Sequence, residues 1–324
     1  MTAASGRAIK LAVVGAAGTV GSQIVELIGA REVSYAELKL FATEAGISAE
    51  VESGERTHAV TQLESPADLA AFDIAFLAMP ESEAIRIIAA RPGPVLIDLS
   101  AAARLPSATP LVAPGLTPRE RLLELEAGKL FAVPHPAAQV IAAVLSATGI
   151  RSGFAGANVM IAASARGREA VSKLFSQSAD LLNARLDVGP EETQVAFNVF
   201  LPPNGRELAA AIAAQAAALM GSAPQLTIQV AQVPSFHGGA IALFVPAAGD
   251  MGEWSGRLRS APGIILVESD EASGLVDAVG QEGVVVRMGG GGPGGAALWC
   301  TYDGARIAAL SALWIAETLA SVAA

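Results

Sequence analysis

Three glycines at an even spacing, Gly15, Gly18 and Gly21, follow the short apolar run Ile9-Lys10-Leu11-Ala12-Val13-Val14. A helical pattern, Ser22-Gln23-Ile24-Val25-Glu26-Leu27-Ile28, comes directly after them. Strand, tight turn and helix in that order make the unit that cradles a pyrophosphate, with the backbone close to the phosphates and the helix dipole aimed at them. The same glycines also suit a βα turn that binds nothing. Other reactive residue types are sparse. His135 and His237 read either as imidazoles packed on apolar walls or as a pair facing across a cleft. Cys300 is the single cysteine and lies in an apolar run, the setting of a buried, inert thiol. Two histidines do not complete a metal site, so none is expected.

The elements that position these residues follow from periodicity. Leu38-Lys39-Leu40-Phe41-Ala42 reads as a second strand, and Thr43 and Glu44 fall after it, where a ribose-recognising acid belongs. Residues 47–63 suggest a hairpin region. Asp73–Pro80 and Val95–Ser100 are near-continuous apolar runs of the kind buried in parallel sheets. Leu111–Pro114 and Leu130–Pro134 are shorter candidates, and Glu81–Ala90 reads as helix. Alternating strands and helices predict a doubly wound α/β domain.

The pattern changes near residue 134. A helix is expected at 137–148, with strands at Gly156–Ala163, Thr193–Phe200, Leu226–Gln232, Gly239–Val245, Gly263–Val267 and Ala297–Tyr302. This predicts a second, α+β domain with a largely antiparallel sheet, and Gly289–Gly295 reads as a flexible loop before its last strand. The expected division is a dinucleotide-binding-type domain over 1–134, completed by a helix at 304–324, and a second domain over 135–303.

With 52% hydrophobic and 16% charged residues, the chain belongs to the globular class. Its net charge of −10 argues against nucleic acid or an anionic membrane as partner. One cysteine excludes an internal disulfide framework. The start, Met1-Thr2-Ala3-Ala4-Ser5-Gly6-Arg7, has no apolar leader core, and Leu208–Met220 is too short to span a bilayer. A cytoplasmic protein is expected.

Five stretches, in order, resemble the aspartate-semialdehyde dehydrogenase family. They are Gly15–Gly21, similar to its GATGxVG loop; Asp98–Arg104 with Pro110–Pro114; Gln194–Val199, similar to QxAFNx(I/V); Val233–Gly238, similar to VPVFxG; and Leu298–Arg306. The resemblance implies an NADPH-dependent reduction of an acyl phosphate to an aldehyde through a thioester. Such chemistry needs a thiolate, an acid/base and cationic clamps for carboxylate and phosphate. It also implies a homodimer formed through the second domain.

Carried over residue by residue, the resemblance places the nucleophilic cysteine on Pro136, a glutamine on Ile161, the substrate arginine on Gln232 and the catalytic histidine on Gly239. An asparagine and a lysine fall on Gly304 and Ile307, while Arg104 keeps a cation of the phosphate site. The chain is similar in this to the Usg-type paralogues that lack the cysteine. Cofactor contacts are implied at Gly15, Ala17, Gly18, Thr19, Val20 and Gly21, with Thr43 and Glu44 at the ribose. NADP and NAD are both candidates; Glu44 disfavours the 2′-phosphate of NADP. The expectation is a nucleotide-binding regulatory dimer without the family's activity. Its rivals are a structural partner of a true dehydrogenase and an oxidoreductase relocated onto His135, His237 and Arg104.

Overall fold

A computed structural model describes residues 9–31, 33, 35–43, 50–54, 56–100, 109–124, 129–185, 189, 192–246, 251–268, 273–292 and 295–321. The chain divides into two compact units, Met1–His135 with Ala308–Ala324, and Pro136–Ile307.

In the first unit the elements are β1 (Ile9–Val14), α1 (Thr19–Ala30), β2 (Tyr35–Ala42), β3 (Glu50–Ser53), β4 (Arg56–Gln62), β5 (Ile74–Leu77), α2 (Glu81–Ala90), β6 (Val95–Asp98), α3 (Arg119–Glu124) and β7 (Leu130–Ala132). The sheet order is β3-β4-β2-β1-β5-β6-β7, and every pairing is parallel except the β3–β4 hairpin. The order reverses at β1, whose neighbours are β2 and β5. A doubly wound sheet opens a crevice at that reversal, beyond the carboxyl ends of the strands. The strands are apolar on both faces because both are covered. Val13, Phe76 and Ile97 face one buried cluster, and Val14, Leu77 and Leu96 face another. Leu111 makes only an isolated bridge to Ala132, so the strand expected at Leu111–Pro114 does not form; Pro110 and Pro114 bound a run too short for a ladder.

The second unit contains α4 (Pro136–Thr148), β8 (Phe154–Ile161), α5 (Arg168–Leu182), α6 (Gly205–Met220), β9 (Gln225–Gln232), β10 (Gly239–Val245), α7 (Met251–Ser260), β11 (Ile264–Val267), α8 (Leu275–Ala278), β12 (Val284–Gly292) and β13 (Gly295–Tyr302). Its sheet runs β11-β12-β13-β10-β8-β9. The three central pairings are antiparallel, and the outer two, β11–β12 and β8–β9, are parallel.

Two sequence expectations fail here. Thr193–Phe200 is not a strand. The Gln177 side chain accepts from Val195 N (2.7 Å) and Ala196 N (3.3 Å), and Phe197 has φ 53°, so local side-chain bonds replace a ladder. Gly289–Gly292 is not a loop but the end of β12, where the register with β13 shifts between Met288 and Gly291. Glycines lower the cost of such an irregularity.

The last helix, α9 (Gly304–Ala320), turns its small residues inward. Ala308, Ala309, Ala312, Leu313, Ile315, Ala316 and Leu319 join the buried cluster of α1 and β1 in the first unit. Leu313 is fully buried there. Leu313→Ala should therefore destabilise the protein by about 3 kcal/mol, read as a lower urea midpoint at unchanged slope.

Candidate functional site

The turn after β1 is set by hydrogen bonds to its neighbours. Gly15 N and Ala16 N both donate to Phe41 O, at 2.8 and 3.2 Å, and Ala78 N donates to Val14 O at 2.9 Å. Gly15 has φ +82°, and a Cβ there would lie 2.2 Å from Ala78 O. A Cβ at Gly21 would lie 2.2 Å from Gly15 O. Both glycines are thus demanded by packing alone, whatever the loop binds.

Gly18 differs. Its backbone is ordinary, φ −74°, and it is the N-cap of α1 with no side-chain cap. The first-turn N–H groups of a 12-residue helix are left without a capping side chain, with the positive end of the dipole behind them. Ala17, Gly18, Thr19 and Val20 are half-buried around this end. The loop fits a pyrophosphate: Thr19, Val20 and Gly21 would present the N–H donors, while Gly18 N donates to Gly15 O at 2.9 Å and closes the turn. Thr43 is half-buried after β2; Glu44 and Arg104 lie outside the described residues.

In the second unit, five positions singled out in the sequence lie together. Gly239, Ile161 and Gln232 stand in one cross-strand row, with Gly239 opposite Ile161 and Ile161 opposite Gln232. Gly239 also pairs with Tyr302 on its other side. The Tyr302 ring fills the space over Gly239: a Cβ there would meet Cζ at 2.6 Å and Cε2 and Oη at 2.9 Å. Pro136, at the start of α4, borders the same place. A Cβ at Gly304 would lie 3.6 Å from Tyr302 Cε2 and 3.7 Å from Pro136 Cβ and Cγ. Tyr302 is buried, and desolvation pushes its phenol above the usual range, so it is neutral at physiological pH. Sequence reasoning missed Tyr302. The signal was available as a glycine, Gly239, at the head of an otherwise apolar strand, since a bare position in a sheet marks a close neighbour.

Residues 10–124 match the semialdehyde dehydrogenase NAD-binding domain. A USG-1 protein homologue from Azotobacter vinelandii is 32% identical, over 96% of this chain and 98% of its own. One from Pseudomonas aeruginosa is 30% identical, over 96% and 97%. The crystal structure of aspartate semialdehyde dehydrogenase II from Vibrio cholerae superposes with a TM-score of 0.86 at 25% identity, covering 97% of this chain and 99% of that one.

The chain belongs to the aspartate-semialdehyde dehydrogenase family.

Against the family's motifs, the row has a distinct chemical character. Proline, glycine and isoleucine, at 136, 239 and 161, supply no nucleophile, acid or base. Gln232 is neutral and accepts from Arg166 Nη1 at 3.0 Å. Other candidates fare as follows. His135 closes the first unit and is half-buried, and desolvation holds its imidazole down at about 4, so it is uncharged at neutral pH. His237 is exposed, in the second unit, and its main-chain O accepts from Ser235 Oγ at 2.9 Å. Cys300 is fully buried on β13, and burial pushes its thiol up to about 12, which leaves almost no thiolate at neutral pH. Among the described residues no three His, Cys, Asp or Glu side chains gather as metal ligands.

Gly239→Ala should cost about 2 kcal/mol by overpacking against Tyr302. In the Tyr302→Ala background the same change should cost much less, a non-additivity that a double-mutant cycle in urea would measure.

Proposed function

We propose that this chain is a homodimeric, dinucleotide-binding member of the family that does not perform its thioester chemistry and acts in regulation. The observation that carries this reading is the Tyr302 cluster. Thioester formation needs a thiolate at position 136 and an acid/base beside it, and there Pro136 and Gly239 border a neutral, buried phenol. The chain's single thiol, Cys300, is protonated and enclosed. A histidine at position 239 would already collide with the Tyr302 ring at its Cβ, 2.6 Å from Cζ.

Dinucleotide binding is supported by the uncapped start of α1 at the sheet's reversal point. A bound nicotinamide would supply a hydride acceptor or donor. What this chain's residues supply is positioning: first-turn N–H groups for the pyrophosphate and, in our reading, Glu44 for an unphosphorylated ribose, which favours NAD over NADP. Dimer formation is supported by the open face of the second sheet. Phe154 and Phe244 are 57% and 54% exposed and flank Gly156 there. Asn158 Oδ1, in the same strand as Phe154, is buried with no hydrogen-bond partner among the described residues. A second copy would cover both rings.

The purified protein should show no phosphate-dependent NADP reduction with aspartate semialdehyde above a no-enzyme blank, and should bind NAD in a calorimetric titration. Turnover above the blank ends the non-catalytic reading. Gly18→Ala adds a methyl at the mouth of the helix, 3.1 Å from Gly15 O. It should leave the melting temperature nearly unchanged and weaken NAD by about tenfold, the scale of one charge-assisted contact. Phe244→Glu should halve the mass found by light scattering after gel filtration; an unchanged mass would place the dimer contact elsewhere.

A further inference from the structure

The first sheet reverses its strand order at β1, and a doubly wound sheet holds one mononucleotide half on each side of such a reversal. The Gly15–Gly21 turn follows β1, and Glu44 follows β2 in the chain. The phosphates and the adenosine ribose therefore belong to that side, and the nicotinamide half falls to the carboxyl ends of β5 and β6.

At those ends the chain places carboxyl groups. Strand β6 ends at Asp98, level with Leu77 at the end of β5. Alternation along β6 turns Asp98 to the same face as Leu96. Leu96 packs there with Leu77 and with Ala84 and Ile87 of α2. Asp98 thus points beneath helix α2, whose first turn carries Glu81 and Glu83. The Asp98 side chain is fully buried. Its Oδ1 accepts from Ser100 N at 3.0 Å, while Oδ2 is enclosed with no hydrogen-bond partner among the described residues. Burial pushes this carboxyl up, its bonds to Ser100 hold it back, and the nearby Glu81 pushes it up again.

Acids in a first turn complement the helix dipole, which accounts for Glu81 and Glu83 one at a time. The dipole does not account for a third carboxyl buried behind them with an oxygen left over, because burial and like charge both raise its cost. Positive charge arriving from outside the fold would offset that cost. The described carboxyls do not gather as a three-ligand metal cluster, so the charge they suit is that of an organic cation.

We propose that Glu81, backed by Asp98, makes this crevice selective for the oxidised dinucleotide, binding NAD+ in preference to NADH. The oxidised ring carries a positive charge and the reduced ring carries none, so a carboxylate beside it attracts only the first. Glu81 is the half-buried group that meets the ring, and Asp98 acts through it as a positioning residue. The inference rests on the dinucleotide reading above and makes the protein a reader of redox state, not of total nucleotide.

The test is calorimetric titration of the full-length protein with NAD+, NADH and ADP-ribose, which lacks the nicotinamide ring. NAD+ is expected to bind at least about tenfold more tightly than NADH, the scale of one partly exposed charge pair. Glu81→Gln should keep the melting temperature, bring the two affinities within about threefold of each other and leave ADP-ribose unchanged. The proposal is overturned by NADH binding as tightly as NAD+, by Glu81→Gln keeping the original ratio, or by the variant weakening ADP-ribose as much as NAD+. If none of the three nucleotides binds, the dinucleotide reading falls and takes this inference with it. If they bind without preference for the oxidised form, this inference alone falls.

Discussion

Helix α1 meets the end of β1 so closely that neither Gly15 nor Gly21 has room for a methyl group, and the first unit is built outward from that contact. The close approach lets Phe41 O take two N–H donors from the turn, which ties β2 to one side of β1. Ala78 N bonds Val14 O and ties the end of β5 to the other. With β1 flanked on both sides, helices must cover both faces of the sheet, and the strands read as unbroken apolar runs for that reason. The bare start of α1 is a by-product of the same geometry. A larger residue at 15 or 21 would push the helix away and remove the site together with the packing.

The second unit depends on a different constraint, the volume of one aromatic ring. Tyr302 sits over Gly239 because Gly239 has no side chain, and the ring then borders Pro136 and Gly304. Small residues at these positions and a large one at 302 form a single packed solution. The packing around the ring is filled and neutral, and burial raises the Tyr302 phenol and the Cys300 thiol alike. Charge then survives at the margin of the row, where Arg166 meets Gln232.

Much of this was legible in the chain. Period and length located almost every strand of the first sheet, because strands buried on both faces carry an unmistakable apolar signature. The glycine spacing located the βα turn. Errors fell where local bonding outweighed residue type. Val195 and Ala196 look like strand residues, yet Gln177, distant in sequence, satisfies their N–H groups in place of a ladder. The run Gly289–Gly292 looks like a loop, yet pairing with β13 holds it extended.

By itself, then, the sequence determined the two-part α/β architecture and the phosphate-type turn. Those are properties of residue identity and of short-range periodicity, which survive without coordinates. Only the tertiary structure decided that a Cβ at Gly15 or Gly21 would collide at 2.2 Å while one at Gly18 would stand 3.1 Å from Gly15 O, that Tyr302 fills the place over Gly239, and that Arg166 reaches Gln232. Each depends on the distance between atoms brought together by strand register or by an anchored turn, and no pattern along the chain encodes such a distance.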